Sequence, residues 1–389
     1  MPEPDAAQRL HQQAVIAALD ARLAAAGGWL GFDQYFAQLM YAPGLGYYSA
    51  GATKLGAAGD FTTAPERSPL FGACVARACA PLLVDNGAGA GDVLELGAGS
   101  GALAESLLQR LASLGALPAH YYILEVSPDL RARQRERLAA LPAALAARVR
   151  WLDTLPSVPL AGVLLANEVA DALPFRCFER THEGFCERGV QRDALGALAW
   201  ATRPADAALA AELARIEADL PERLPEGYCS EVCPQLDAWI ASLAAVLGRG
   251  MLLLFDYGHG RRELYHPQRN AGTLRCHWRH RAHDDPFVHP GLQDITAWVD
   301  FTRVAEAASD AGLTVAGYTS QAGFLLASGM QAELAEPAGS ARRTAERAAE
   351  ARALLLPEHM GEAFKAIALT RGLAAPPPGF ALQDLLRTL

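Results

Sequence analysis

The sequence predicts an α/β fold built on a parallel sheet that is covered on both faces. From Asp92 onward, short apolar runs alternate with stretches of helical periodicity. Those runs are near-continuously apolar, as strands buried on both faces are, rather than alternating in polarity. The first run also ends in a glycine turn, Gly97-Ala-Gly-Ser-Gly101, from which helical spacing resumes.

Taken in order, residues 6–26 read as an amphipathic, Ala-rich helix stopped by Gly27-Gly28, and Phe32 to Tyr41 as a second helix stopped before Pro43. From Pro43 to Pro69 periodicity lapses, and five glycines share the stretch with Tyr47, Tyr48 and Phe61. A connection that long, with aromatics in it, predicts a functional loop. Strands follow at Val93 to Leu96, Tyr121 to Val126, Val149 to Asp153 and Val163 to Ala166, with a helix to about Gly115 after the first and a helix to Leu141 after the second. The next strong strand, Met251 to Asp256, begins more than eighty residues later, which predicts an insertion holding more than one crossover helix. An irregular His- and Arg-rich stretch occupies 257–300, and strands at Leu313 to Tyr318 and Phe364 to Leu369 flank a helical region around 331–356. The expected divisions are therefore 1–90, N-terminal helices and glycine-rich lid loop; 91–174, the first half of the core; 175–249, an inserted substrate-side subdomain; 250–372, the second half; and 373–389, a C-terminal tail.

Composition narrows the function. A chain of 389 residues that is 51% hydrophobic has ample material for a buried core. Its net charge of -9 disfavours a nucleic-acid partner. The seven cysteines include no C-x2-C pair, so no metal is expected and the thiols read as reduced. No apolar run reaches the length of a membrane span, and the first residues have neither a basic region nor an apolar core of a secretory signal, so the expected address is cytoplasmic.

The glycines alone fit two nucleotide cofactors. Gly97, Gly99 and Ala102 satisfy the dinucleotide pattern, while Gly97, Gly99 and Gly101 satisfy the tighter G-x-G-x-G form. Glu95 favours S-adenosylmethionine, because a carboxylate beside the turn would repel a pyrophosphate but suits a sulfonium and an ammonium. Glu125 ends the second strand, where a carboxylate suits ribose hydroxyls, and Asp153 ends the third, within reach of an adenine amino group. At the end of the fourth strand stand Asn167, Glu168 and Asp171, whose acids suit a cationic acceptor such as a guanidinium. The competing structural reading makes Asn167 a helix cap and Glu168 part of that helix's first turn. Asp256 and Tyr257 offer a further acceptor and an aromatic wall, with a helix- or turn-capping role for Asp256 as the alternative.

With these residues in hand, the chain resembles the MidA family of S-adenosylmethionine-dependent methyltransferases. The resemblance rests on Tyr41-Ala-Pro-Gly-Leu-Gly-Tyr-Tyr-Ser49, Gly59-Asp-Phe-Thr-Thr-Ala-Pro-Glu66, the glycine turn, Leu124-Glu-Val-Ser-Pro128 and Ala166-Asn-Glu-Val-Ala-Asp-Ala-Leu-Pro174. It continues through Phe255-Asp-Tyr-Gly258, Thr273-Leu-Arg275, Asp294 to Phe301 and Met360 to Lys365. Departures are confined to Val169-Ala170, smaller than the family's bulky pair, and to Arg67 in an apolar position. The resemblance implies a seven-stranded class I methyltransferase core, Rossmann-like, with a family-specific insertion. It implies cofactor binding at Gly97, Gly99, Gly101 and Glu125, with Gly59, Asp60 and Phe61 lying over the site. Mitochondrial members are protein-arginine methyltransferases needed to assemble respiratory complex I, so the implied partner is a protein substrate, by analogy a complex I subunit. The alternatives are a methyltransferase with a small-molecule acceptor and a non-catalytic assembly factor that binds the cofactor.

Overall fold

A computed structural model describes residues 1–50, 62–84 and 89–389. The chain divides into two compact units, one comprising 1–61, 171–236 and 259–300, the other 62–170, 237–258 and 301–389.

The second unit is an α/β layer structure around a mixed sheet. Seven strands follow one path in the order Thr314–Ser320, Phe364–Arg371, Leu247–His259, Leu160–Asn167, Asp92–Leu96, Tyr121–Leu124 and Val149–Leu152. From Leu247–His259 to Val149–Leu152 the pairing is parallel, and Phe364–Arg371 runs antiparallel to both of its neighbours. The parallel strands carry runs such as Val163, Leu164 and Leu165, and these side chains are buried because helices cover the sheet. One of those helices, Pro69–Leu83, follows Ser68, whose side chain accepts from Leu70 N. It presses so closely on the helix Ala102–Ser113 that a Cβ at Gly72 would meet Ser106 Oγ.

Chain order places the crevice. From Asp92–Leu96 the chain builds outward through Tyr121–Leu124 and Val149–Leu152, then returns to add Leu160–Asn167 on the opposite side. The strand order therefore reverses between Asp92–Leu96 and Leu160–Asn167, the point where open α/β sheets bind ligands at the carboxyl ends of their strands.

The first unit is built on a five-stranded antiparallel sheet. Gly184–Arg192 is its centre, flanked on one side by Trp29–Gly31 and Arg176–Thr181 and on the other by Leu198–Pro204, while Cys229–Val232 pairs with Arg176–Thr181. Its core is aromatic, with Phe32 and Phe36 of the helix Phe32–Tyr41 each packed about Phe175. The stretch between Pro174 and Met251 thus holds four whole strands and the start of a fifth, in addition to the helices Ala207–Asp219 and Gln235–Val246 that a crossover reading anticipates. Within 257–300 a second small sheet forms from Arg281–His283, Arg275–Trp278 and Asp294–Thr296.

Candidate functional site

At the switch point, Gly97, Gly99 and Gly101 have φ of +61°, +54° and +85°. Side chains with a Cβ rarely adopt that region, so the spacing of the three glycines is a backbone requirement of the turn. A Cβ on Gly97 would also stand 3.2 Å from Val169 Cγ2, which brings the glycine turn directly against the segment that follows Asn167.

The acids singled out from sequence occupy different environments. Glu95 is buried, and its Oε2 accepts the Tyr121 hydroxyl at 2.7 Å. Burial pushes its carboxyl up to about 7, the Tyr121 hydrogen bond opposes the rise, and the charge of Glu125 adds to it. Glu125 is also buried and raised, again chiefly by desolvation, against hydrogen bonds from Ser127 N and Gln134. Asp153 is the opposite case: its side chain is 87% exposed and pairs with Arg131 Nη1 at 2.6 Å. Gly59, Asp60 and Phe61 lie outside the described residues. The stretch re-enters the described structure at Thr62, and Glu66 of the helix Ala64–Arg67 accepts from Ser100 in the glycine turn. Arg137 joins this contact, 3.5 Å from Glu66 and 2.8 Å from Glu105.

Three residues here escape a reading by motif. Tyr121 is the partner of Glu95. Arg131 donates to the carbonyls of Glu125 and Leu152, tying two strand ends together. Gln134 donates from Nε2 to Gly99 O at 2.9 Å and to Glu125 Oε2 at 3.0 Å, and accepts from Trp151 Nε1 at 3.0 Å. Its signal is a polar residue in the buried stripe Leu130, Gln134, Leu138 of the helix Pro128–Ala139.

On the other side of the switch point, Asn167 ends its strand and donates from Nδ2 to Glu168 Oε1 at 3.2 Å. Its Oδ1 is buried and meets no donor among the described residues. Glu168 has a φ of +55°, an uncommon conformation for a residue with a side chain, and its N–H donates to Phe255 O at 2.9 Å. No helix follows, so the reading of Asn167 as a helix cap is corrected: the chain passes through bends and turns to Pro174. Asp256 holds this turn, since its Oδ2 accepts Ala170 N at 3.0 Å and its Oδ1 accepts Tyr257 N at 2.9 Å. It is therefore a turn cap, the alternative weighed for it from sequence.

In the first unit, Asp171 is buried and its carbonyl accepts Ala297 N. Tyr41 donates to Ala172 O at 2.6 Å and stacks on Tyr48, whose hydroxyl donates to Asp294 Oδ1 at 2.6 Å. Burial, and after it the charge of Asp294, raises the Tyr48 hydroxyl well above its usual range. The Tyr41 to Ser49 and Asp294 to Phe301 motifs, 246 residues apart at Tyr48 and Asp294, thus meet in space.

Comparison with known proteins follows the same lines. Residues 74–319 match the family described as putative S-adenosyl-L-methionine-dependent methyltransferase. The mitochondrial protein arginine methyltransferase NDUFAF7 of Danio rerio is 29% identical over 375 residues, covering 87% of this chain and 83% of that protein. Its Mus musculus counterpart is 27% identical over 369 residues, covering 86% and 80%. A Burkholderia thailandensis protein, crystallised with S-adenosyl-homocysteine, superposes with a TM-score of 0.94 at 46% identity and 100% coverage of both chains.

Proposed function

The chain belongs to this family of S-adenosyl-L-methionine-dependent methyltransferases, and from that premise we propose that it methylates an arginine side chain of a protein. The observation that carries the reading is the approach of Val169 to Gly97, which sets Glu168 and Asn167 beside the turn assigned to the cofactor. The names of the Danio rerio and Mus musculus relatives supply the acceptor class.

The residues present fit the cofactor. Three left-handed glycines leave no side chain at those positions of the turn, so its backbone can be approached closely there. Glu125 stands at a strand end as an acceptor for ribose hydroxyls, and Val126 beside it is 73% exposed, an apolar face for an adenine ring. Asp153 is assigned the adenine amino group, and Glu95 the electrostatic balance beneath the turn. When bound, S-adenosylmethionine supplies an electrophilic methyl on a sulfonium.

The protein's own part is alignment and charge stabilisation. Glu168 is assigned the bidentate acceptance of the guanidinium and the proton that its attacking nitrogen sheds. Asn167 Oδ1, buried and without a donor among the described residues, is assigned a guanidinium N–H. By analogy the protein substrate is a respiratory complex I subunit, and the reaction is assigned to the cytoplasm.

The test is transfer of labelled methyl from S-adenosylmethionine into proteins of a lysate that lacks the endogenous enzyme, with Glu168→Gln in parallel. The expected result is label recovered in arginine, with the rate in the variant reduced by about 100-fold. Label confined to small molecules would overturn the acceptor, and a wild-type rate in the variant would overturn the role of Glu168.

A further inference from the structure

We infer that Gln134 is the positioning residue for recognition of the cofactor's ribose, acting through Glu125 and the glycine turn. The inference rests on the reading of Glu125 as the ribose acceptor.

Gln134 is fully buried, and the orientation of its amide follows from its neighbours. The Trp151 indole nitrogen is only a donor, so the atom facing it must be Oε1. The NH2 group is thereby turned toward two acceptors, Gly99 O and Glu125 Oε2. One planar group thus fixes three separate pieces of the site: the glycine turn, the carboxylate at the end of Tyr121–Leu124, and Trp151 in the neighbouring strand. The backbone of Gln134 also lines the turn from behind, since a Cβ on Gly101 would lie 3.6 Å from Gln134 Cα.

This arrangement has a consequence for Glu125. With Oε1 accepting Ser127 N at 2.9 Å and Oε2 accepting Gln134, the carboxylate plane is held from two sides. An ionised carboxylate has about four acceptor positions, so beside these bonds it keeps capacity for the hydroxyls of a vicinal diol. Without Gln134, the carboxylate loses its one side-chain amide donor and keeps only backbone ones, and the carbonyl of Gly99 loses a donor.

The experiment measures dissociation constants by calorimetry for S-adenosylhomocysteine and for its 2′,3′-dideoxy analogue. The proteins are the full chain, Gln134→Met, Trp151→Phe and Glu125→Gln. Gln134→Met keeps the side chain's length and removes its hydrogen bonds. The expected result is an affinity for S-adenosylhomocysteine about tenfold weaker in Gln134→Met, with the dideoxy analogue changed by less than about twofold. A purely structural role would weaken both ligands alike, and that outcome would overturn the inference. Trp151→Phe leaves Gln134 in place but removes the donor that orients its amide, so it should lose part of the same preference; it also serves if Gln134→Met fails to fold. If Glu125→Gln retains the full preference for the diol, the reading of Glu125 fails. If Glu125→Gln loses the preference while Gln134→Met and Trp151→Phe keep it, the assignment of Gln134 alone fails.

Discussion

Ala170 donates its backbone N–H to Asp256 Oδ2 at 3.0 Å, and two residues earlier Glu168 donates its own to Phe255 O at 2.9 Å. The strand Leu247–His259 therefore grips the turn twice, and between the grips Glu168 is held at a φ of +55°. Strain of this kind persists only where the surroundings over-determine it.

Glu168→Gly separates strain from chemistry. Glycine adopts this conformation freely, so the variant is expected to gain about 1 kcal/mol of stability while losing methyl transfer. Unfolding midpoints beside transfer rates decide it. A variant that is both less stable and inactive would mean that the side chain supports the fold.

The glycine turn makes a second prediction, with an internal control. Gly97→Ala pays for a left-handed backbone and meets Val169 Cγ2 at 3.2 Å, so cofactor affinity should fall by at least about tenfold. Gly115→Ala has a similar φ of +67° and open space around its Cβ. It should lose about 1 kcal/mol of stability and leave the dissociation constant for S-adenosylhomocysteine unchanged.

Glu95 predicts a pH dependence of stability. Burial holds its folded carboxyl at about 7, above the value of an unfolded glutamate, so the folded chain keeps a proton that the unfolded chain has released. The stabilisation is complete below the unfolded value and is lost as pH rises through about 7. The loss across that window is roughly 3 kcal/mol from this group. Glu95→Gln should flatten the fall, and Tyr121→Phe should steepen it by removing the bond that favours the ionised form. Urea denaturation of the ligand-free chain at pH 5 and pH 8 measures both, and an unaltered slope in Glu95→Gln would contradict the assignment.

Which parts of the molecule were legible follows from what each residue has to satisfy locally. The parallel strands declare themselves because both faces are buried, so Val163 to Ala166 must all be apolar. The glycine turn declares itself because three left-handed residues leave no other choice. The strands Arg176–Thr181 and Gly184–Arg192 stay hidden because their charges find partners across the sheet: Arg176 Nη2 pairs with Glu187 Oε2 at 2.6 Å, so neither needs to be apolar. Asn167 and Glu168 are conspicuous in sequence as polar residues at a strand end, but the absence of a following helix is decided by Phe255 and Asp256, nearly ninety positions away. Gln134 is the intermediate case: it breaks an apolar stripe, yet only Trp151 and Glu125 together give the break a meaning.

The C-terminal residues yield the last prediction. Thr314–Ser320 begins the strand path of its sheet, and an open edge is a template for pairing with another chain. Residues after Gly372 cover it: Leu385 N donates to Tyr318 O at 2.9 Å, and Gln383 Oε1 accepts from Ser320 N, Ser320 Oγ and Thr319 Oγ1. Phe380 packs edge-on against Phe324, in space that exists because residue 317 is glycine. Ending the chain after Gly372 would strip these partners from the backbone of the edge and expose Phe324. The truncated protein should melt at lower temperature and show a sedimentation coefficient that rises more steeply with concentration than that of the full chain. Gln383→Ala, which leaves Ser320 N without its acceptor, should cost about 1–3 kcal/mol without promoting association, because Leu385 and Phe380 still lie over the strand. If truncation lowers the melting temperature but leaves sedimentation unchanged, the tail stabilises the sheet without guarding its edge.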